Sequence, residues 1–534
     1  MSSECFPMTA LPHTSRLFAD FLGMGQLAED APVRSWYGTG YAAAAVSDPD
    51  RLANALAAQA KEFGAGEAVF ENIERLRGGA RALVTGQQVG LFGGPLLTLL
   101  KAATAVARAK QATDQTGVPH VPVFWLATED HDLEEVDQVS LPTKHTLERL
   151  KAGLKTDAPV EVGGVVLGAE IEAVLERACE LLEWSPVCDV LRECYVSREG
   201  YTATLGGAFA RWMTKLFEAQ GLIVLDAAGR EFHALGKQAL RYAIEHAAEL
   251  EAALLKRTAE LEGAGYHAQV LVVPGHSLLF LVDESTGARS ALRRSANGEW
   301  KAGGKAYSAD DLLAILEAAP ERISPNALLR PVFQDVILPT AAYVGGPAEV
   351  AYFAQSAAVY EAVLGRVTPV LARFSATLVE PAMAAVLDQH ELRVIGVMTT
   401  PEELAQRLGA RAMPIAGKRK LAAVGNAMDA ELTALTEYLS AMDESLGRSA
   451  MVSGSKMRYQ MNRLRRMAAT FELQKEASLR KHADALALNL FPNGHPQERV
   501  VAGAWFLARY GDGLVERLVT EAADACGGHV VVRL

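Results

Sequence analysis

The chain has 534 residues, half of them hydrophobic and 22% charged, with a net charge of −12. That length exceeds what one hydrophobic core usually serves, so two or three domains are expected, and the acidic balance argues against a general nucleic-acid binder. No apolar run approaches the ~20 residues that span a bilayer, and the amino terminus lacks a basic stretch followed by an apolar one. A soluble, cytoplasmic protein is therefore expected, with Cys5, Cys179, Cys188, Cys194 and Cys526 as scattered reduced thiols.

In chain order, residues 1 to about 80 read as helical, with an Ala-rich helix opening at Arg51. Two strand-like runs follow, from Arg81 and from Val121 to Ala127, and each empties into a polar loop. A helix is expected from Pro95, whose fixed φ suits the first helical position. GLIVLDAAG near Gly221 is a further short strand, and the alternation of strand and helix argues for a parallel sheet with helices on both faces. YHAQVLVVPGHSLLFLVDESTGARSAL reads as two antiparallel strands within a small α+β insertion, after which Val336 to Val344 is expected as a core strand. Leu421, Val424, Met428, Leu432, Leu435, Leu439, Met442 and Leu446 form a heptad-like seam. A second helix carrying Met457, Met461, Leu464 and Phe471 is expected after a turn at Gly447 and Gly454, making an antiparallel coiled-coil hairpin.

Chemistry is expected at the strand ends, because an open parallel sheet binds its ligand beyond the carboxyl ends of its strands. The first loop, TGQQVGLFGGP, offers Thr85, Gly86, Gln87, Gln88, Gly93 and Gly94, with Lys101 in the following helix. Glycines permit close backbone approach, and a helix amino terminus favours an anion. Neither a P-loop nor a dinucleotide fingerprint fits this spacing. The second loop places Glu129, Asp130, His131 and Asp132 together. Three readings stand: a divalent metal site, a histidine stabilising phosphate charge while carboxylates orient amine or ribose groups, or an acidic helix cap. Downstream, Asn326, Arg330 and Gln334 are spaced four apart, on one face if helical. Tyr343, Gly345, Gly346 and Glu349 surround a second Gly-Gly-Pro crossing, and Arg373 and Ser375 close another strand end.

These stretches, with LFPNGHPQER, resemble the BshC family of bacillithiol biosynthesis over nearly the whole chain. The resemblance implies an α/β fold, with a Rossmann-like parallel-sheet core, connecting-peptide insertions and a C-terminal α-helical coiled-coil domain. The implied layout puts amino-terminal helices and the first half of the core at 1–140, a connecting insertion at 141–215 and core again at 216–264. The α+β insertion follows at 265–320, the second half of the core at 321–385, and the coiled-coil domain with carboxy-terminal helices packing back on the core at 386–534. The implied activity is an amide-bond-forming ligase that joins cysteine to the amine of glucosaminyl-malate. ATP would activate cysteine as an adenylate, as in the similar mycothiol cysteine ligases, with or without Mg2+ and with no protein-bound metal.

On this reading His131, Asp130 and Asp132 are the expected catalytic residues, and the other residues named above hold substrate or nucleotide. A homodimer through the coiled coil is implied, with no nucleic-acid or membrane partner. The sequence departs from the synthetase pattern in having no HIGH tetrapeptide, no KMSKS after the last core strand and no visible zinc site for cysteine. A non-catalytic nucleotide- or thiol-sensing dimer is the alternative.

Overall fold

The structure is a computed structural model that describes residues 4–534 apart from residues 42, 45, 296, 297, 512 and 525. The extreme amino terminus, read above as lacking a leader, thus lies partly outside the described residues. The chain forms two compact units: Met1–Thr143, Leu147–Thr377 and Glu498–Val530 make the first, and Lys144–Thr146, Leu378–Gln497 and Val531–Leu534 the second.

The first unit is built on five parallel strands, β1 (Arg81–Gln87), β2 (His120–Leu126), β3 (Ile223–Asp226), β4 (Thr340–Gly345) and β5 (Val370–Ala372). Their order in the sheet is β5-β4-β1-β2-β3. Both faces are covered, so β2 reads HVPVFWL and is buried throughout instead of alternating. The helices that concern the site are α1 (Leu97–Thr116), the short α2 (Leu133–Val136), α3 (Arg230–Glu245), α4 (Arg330–Ile337) and α5 (Pro347–Leu364). This is the Rossmann strand order: the chain runs outward from β1 to β3, then returns to β4 on the other side of β1. The crevice at that reversal lies between β1 and β4, where ligands of such sheets bind.

Three boundaries differ from the sequence expectation. Helix α1 starts at Leu97, and Pro95 instead forms an isolated antiparallel bridge with Ala502. The strand expected from Val336 begins at Thr340, because Arg330–Ile337 is helical. Asn326 therefore precedes α4, its side-chain oxygen accepting from the Leu328 and Leu329 N–H groups at 2.9 and 3.1 Å. Within the same unit, strands His276–Val282, Arg289–Arg294, Trp300–Ala302, Lys305–Tyr307 and Ile323–Pro325 form an antiparallel sheet accompanied by helix Ala309–Ala318.

The second unit is helical and carries α6 (Ile415–Met442) and α7 (Glu444–Lys475), separated by Asp443 alone. Asp443 makes the turn by accepting from the Ser445 and Leu446 N–H groups at 2.8 and 3.1 Å, the N-cap role for which Asp is suited. Gly447 and Gly454, expected in the turn, lie inside α7, and so does the Ser453–Met457 stretch. Gly447 is buried against Ser440, where a Cβ would collide with backbone and side chain. The Arg458–Asp429 pair at 2.7 Å confirms the antiparallel alignment. The expected seam divides: Leu421, Met428, Leu432 and Leu439 are partly buried, whereas Val424, Leu435, Met442 and Leu446 are exposed.

The cysteines are not all free. Cys5 and Cys526 form a disulfide, while Cys179, Cys188 and Cys194 are buried thiols. A pairing across 521 residues leaves no local spacing to read. A thiol titration of the unfolded protein is expected to count three groups before reduction and five after it. Five before reduction would contradict the bond.

Candidate active site

At the carboxyl ends of β1, β2, β4 and β5, the first unit encloses a cavity of about 350 Å³. Its lining includes Gly86, Gln87, Gln88, Lys101, Asp130, Arg330, Gln334, Tyr343, Gly346, Glu349 and Arg373, all singled out in the sequence. Trp125, Glu135, Tyr352 and Arg499 also line it and were not singled out. Trp125 lies in the strand run from Val121 to Ala127 and Arg499 ends LFPNGHPQER, so motif membership was the usable signal for those two, while Glu135 and Tyr352 follow the noted residues by three positions each.

Two buried ion pairs form the floor. Lys101, 4% exposed, donates to Gly86 O at 2.7 Å, Gln87 Oε1 at 2.8 Å and Glu349 Oε2 at 2.6 Å. Its three N–H donors are thus committed, and burial pulls its pKa down against the opposing pull of Glu349. Glu349 also accepts from Gly346 N–H at 2.8 Å and from Tyr343 OH at 2.6 Å. Beside this pair, Arg373 donates to Phe374 O at 2.8 Å and forks onto Glu498, one contact being 3.0 Å. Burial would raise the Glu498 pKa, but Arg373 outweighs it and holds the carboxyl at about 2.

Behind Arg373 lies a serine–histidine–glutamate cluster. Ser375 Oγ contacts Glu498 at 3.1 Å and His529 Nδ1 at 2.8 Å, and Thr377 Oγ1 contacts His529 Nε2 at 2.8 Å. Such residue types invite a nucleophile reading. All are buried and none of Ser375, Thr377, Glu498 or His529 lines the cavity, so they serve to hold Arg373. Burial pushes the His529 pKa down to about 4.

The cationic wall differs from the floor. Arg330 opens α4 and has no side-chain hydrogen bond or ion pair among the described residues, although its Nε is buried. Arg499 likewise lacks such a partner among them. A buried unpaired guanidinium nitrogen is a costly feature unless a ligand satisfies it. Opposite in charge stand Asp130 and Glu135, joined through Gln88, whose amide donates to them at 3.2 and 2.7 Å. Burial would raise the Asp130 pKa, but Arg330 and the Gln88 hydrogen bond overcome it, for a net downward shift.

The remaining expected residues lie off the lining. Thr85 donates to Val344 O at 2.8 Å, fastening β1 to β4. The glycine turn is not an amide cradle: Gly93 N–H donates to Gly90 O and to Tyr195 OH, Gly94 N–H to Leu91 O, and Leu96 N–H to Val501 O. Gly93 has φ +87°, and a Cβ there would collide with Trp212, which accounts for the glycine by packing. Gly345 O accepts from Arg373 N–H at 2.9 Å. Asp132 is the N-cap of α2, accepting from Glu135 N–H at 3.1 Å, which is the acidic-cap reading of that loop. His131 is 46% exposed in its side chain and faces Arg289 Nη1 at 3.4 Å instead of the cavity.

Glu129 is buried and accepts from His233 Nε2 at 2.8 Å, while His233 Nδ1 meets Pro320 O at 3.1 Å. With a carbonyl on one side and a carboxylate on the other, both ring nitrogens donate and the imidazole is protonated. The shifts agree: burial lowers the His233 pKa but Glu129 raises it further, and burial raises the Glu129 pKa but His233 lowers it further. His233 sits in α3 without any motif, so no sequence signal marked it. Among the described residues no group of three His, Cys, Asp or Glu side chains is placed to hold a metal ion.

The fold and site define a Rossmann-like protein with a strand-end pocket lined by Arg330 and Arg499 beside a pair of carboxylates. Residues 36–374 match the family described as "Bacillithiol biosynthesis BshC, N-terminal Rossmann-like domain", and residues 376–534 "Bacillithiol biosynthesis BshC, C-terminal coiled-coil domain". Among curated relatives, a protein of Koribacter versatilis is 41% identical over 546 residues, covering 100% of both chains. One of Solibacter usitatus is 35% identical over 100% of both chains, and one of Salinibacter ruber is 33% identical over 91% of this chain and 89% of its own. All three carry the name "Putative cysteine ligase BshC". The chain belongs to the BshC family, a family of ligase enzymes.

Two outcomes follow from the floor. Lys101→Met, which strands Glu349, is expected to lower stability by roughly 3–5 kcal/mol, and adding Glu349→Gln should recover part of it; chemical denaturation of the wild type and the two variants measures this. Folding holds His529 and Glu498 below their ordinary values of 6.5 and 4.5, so each stabilises above its unfolded pKa and loses that contribution as pH falls. The melting temperature should therefore drop from pH 6.5 towards 4 and again towards 2, and His529→Gln should flatten the first interval.

Proposed function

We propose that this chain performs the final step of bacillithiol biosynthesis in the cytoplasm, joining the carboxyl of L-cysteine to the amine of glucosaminyl-malate. ATP, as its Mg2+ complex, activates the cysteine carboxyl. A free carboxylate is a poor acyl donor, so forming the amide requires conversion of one oxygen into a better leaving group. Family membership supports the ligase assignment, and Arg330 carries the reading at the site. Its unpaired guanidinium in a strand-end cavity is suited to fork onto a carboxylate or phosphate. Arg499 adds a second cation, while Lys101 and Arg373, already paired, set the shape and field of the floor.

Self-association through the hairpin belongs to the same proposal. The small residues Gly447 and Gly454 face inward, while Leu435, Tyr438, Met442, Met457, Leu464 and Phe471 remain exposed on α6 and α7. A helical hairpin with so much apolar surface outside its own seam is suited to a second copy. No helix among the described residues is long and apolar enough to cross a membrane.

The deciding assay combines the protein with cysteine, glucosaminyl-malate and ATP, and follows bacillithiol together with AMP and ADP. Product with stoichiometric AMP is expected; product without nucleotide consumption removes the ATP part, and no product removes the assignment. Arg330→Ala should lower kcat/KM by roughly 100-fold, with Arg330→Lys intermediate because a point charge replaces a fork. Sedimentation should show a dimer that Leu435→Glu with Leu464→Glu converts to monomer.

A further inference from the structure

We propose that Asp130 and Glu135 form the clamp for the α-ammonium group of the amino-acid substrate, with Gln88 as the strut that spaces them and Arg330 facing the carboxylate end. This rests on the ligase reading above and assigns a role within that same cavity.

The geometry supplies the first argument. Gln88 Nε2 donates to Asp130 Oδ2 at 3.2 Å and to Glu135 Oε2 at 2.7 Å, so one amide nitrogen bridges two carboxylates. Among the described residues Asp130 Oδ1 accepts from the neighbouring His131 N–H at 2.8 Å, with His131 Nδ1 standing 3.7 Å away. Among the described residues no lysine or arginine nitrogen lies within 4.0 Å of either group. The floor of the cavity shows the contrast: there every carboxylate meets a cation directly. Glu135 is solvent-exposed and Asp130 feels Arg330 only at a distance, so the neutral amide between the two carboxylates leaves both without a cation in direct contact. A small cation with several N–H donors would supply that contact. The second argument is the opposite member: Arg330, with its buried and unpartnered Nε, lines the same cavity. A pocket that carries both carboxylates and a guanidinium, with no direct ion pair between them, fits a zwitterion.

Chemistry selects which amine is held. The reaction brings in two, the α-amine of cysteine and the sugar amine. The sugar amine must lose a proton to attack the acyl carbon. A carboxylate held ionised by Arg330 is a weak base, so an ammonium seated on it stays charged and unreactive. That suits the amine that must stay out of the reaction. It also prevents cysteine from attacking a second activated cysteine.

Equilibrium dialysis of radiolabelled cysteine, with and without ATP, tests the clamp without requiring turnover. Wild-type protein should bind cysteine roughly 10- to 100-fold more tightly than 3-mercaptopropionate, which keeps the carboxylate and thiol but lacks the ammonium. Asp130→Asn with Glu135→Gln should erase most of that discrimination, and in steady-state assays should raise the KM for cysteine while leaving that for glucosaminyl-malate unchanged. Equal binding of the two compounds by wild-type protein overturns the clamp, as does a rise confined to the glucosaminyl-malate KM. If the double variant does not fold, the comparison of the two compounds on wild-type protein still decides. Selective cysteine binding without product formation would defeat the ligase reading and keep the clamp. Product formation without selectivity for the ammonium would do the reverse.

Discussion

The buried ammonium of Lys101 is the contact on which the cavity depends. It stands where the sheet reverses direction, and its three donors reach the end of β1 and the first turn of α5. Glu349 passes the constraint on to Gly346 and Tyr343 at the end of β4. Removing these charges from water is expensive, and only a complete set of partners offsets it. Completeness also fixes geometry, since a lysine with no spare donor cannot swing towards a ligand. The pair therefore acts as scaffold, and ligand recognition falls to neighbours that lack partners.

That division of labour organises the rest of the site. Arg373 is held by Glu498 and by the buried serine, threonine and histidine behind it, and so contributes a fixed field. Arg330 is left open, and Asp130 and Glu135 share a neutral strut. Charges that are satisfied form the base, and charges that are unsatisfied form the walls. Preorganised groups of this kind act on developing charge without reorganising when the reaction occurs.

Much of this was legible in the sequence because strand runs buried on both faces announce a parallel sheet, and the polar loops after β1, β2 and β4 mark its carboxyl ends. What the sequence hid was partnership. Lys101, expected among the residues that hold substrate or nucleotide, is instead paired with Glu349, distant in the chain. The glycines after β1 looked like a cradle, but their N–H groups are spent within the turn. His131 drew notice as the histidine among acids, whereas His233, alone in a helix, is the one fully buried against a carboxylate. The coiled-coil turn was misplaced because glycine marks close helix contact as readily as chain reversal; here Asp443 reverses the chain and the glycines pack.

The Arg373–Glu498 pair has a meaning beyond charge. Arg373 lies just before the chain leaves the first unit at Thr377, and Glu498 is the residue at which it returns. The whole excursion through residues 378–497 is thus pinned at its neck by Glu498, which meets the Arg373 fork, the Ser375 hydroxyl and the Ala376 N–H. A loop closed so tightly can lengthen or shorten with little entropic consequence for what lies below the neck, because closure depends only weakly on length. A change in the length of the hairpin would therefore leave the guanidinium in the cavity where it is.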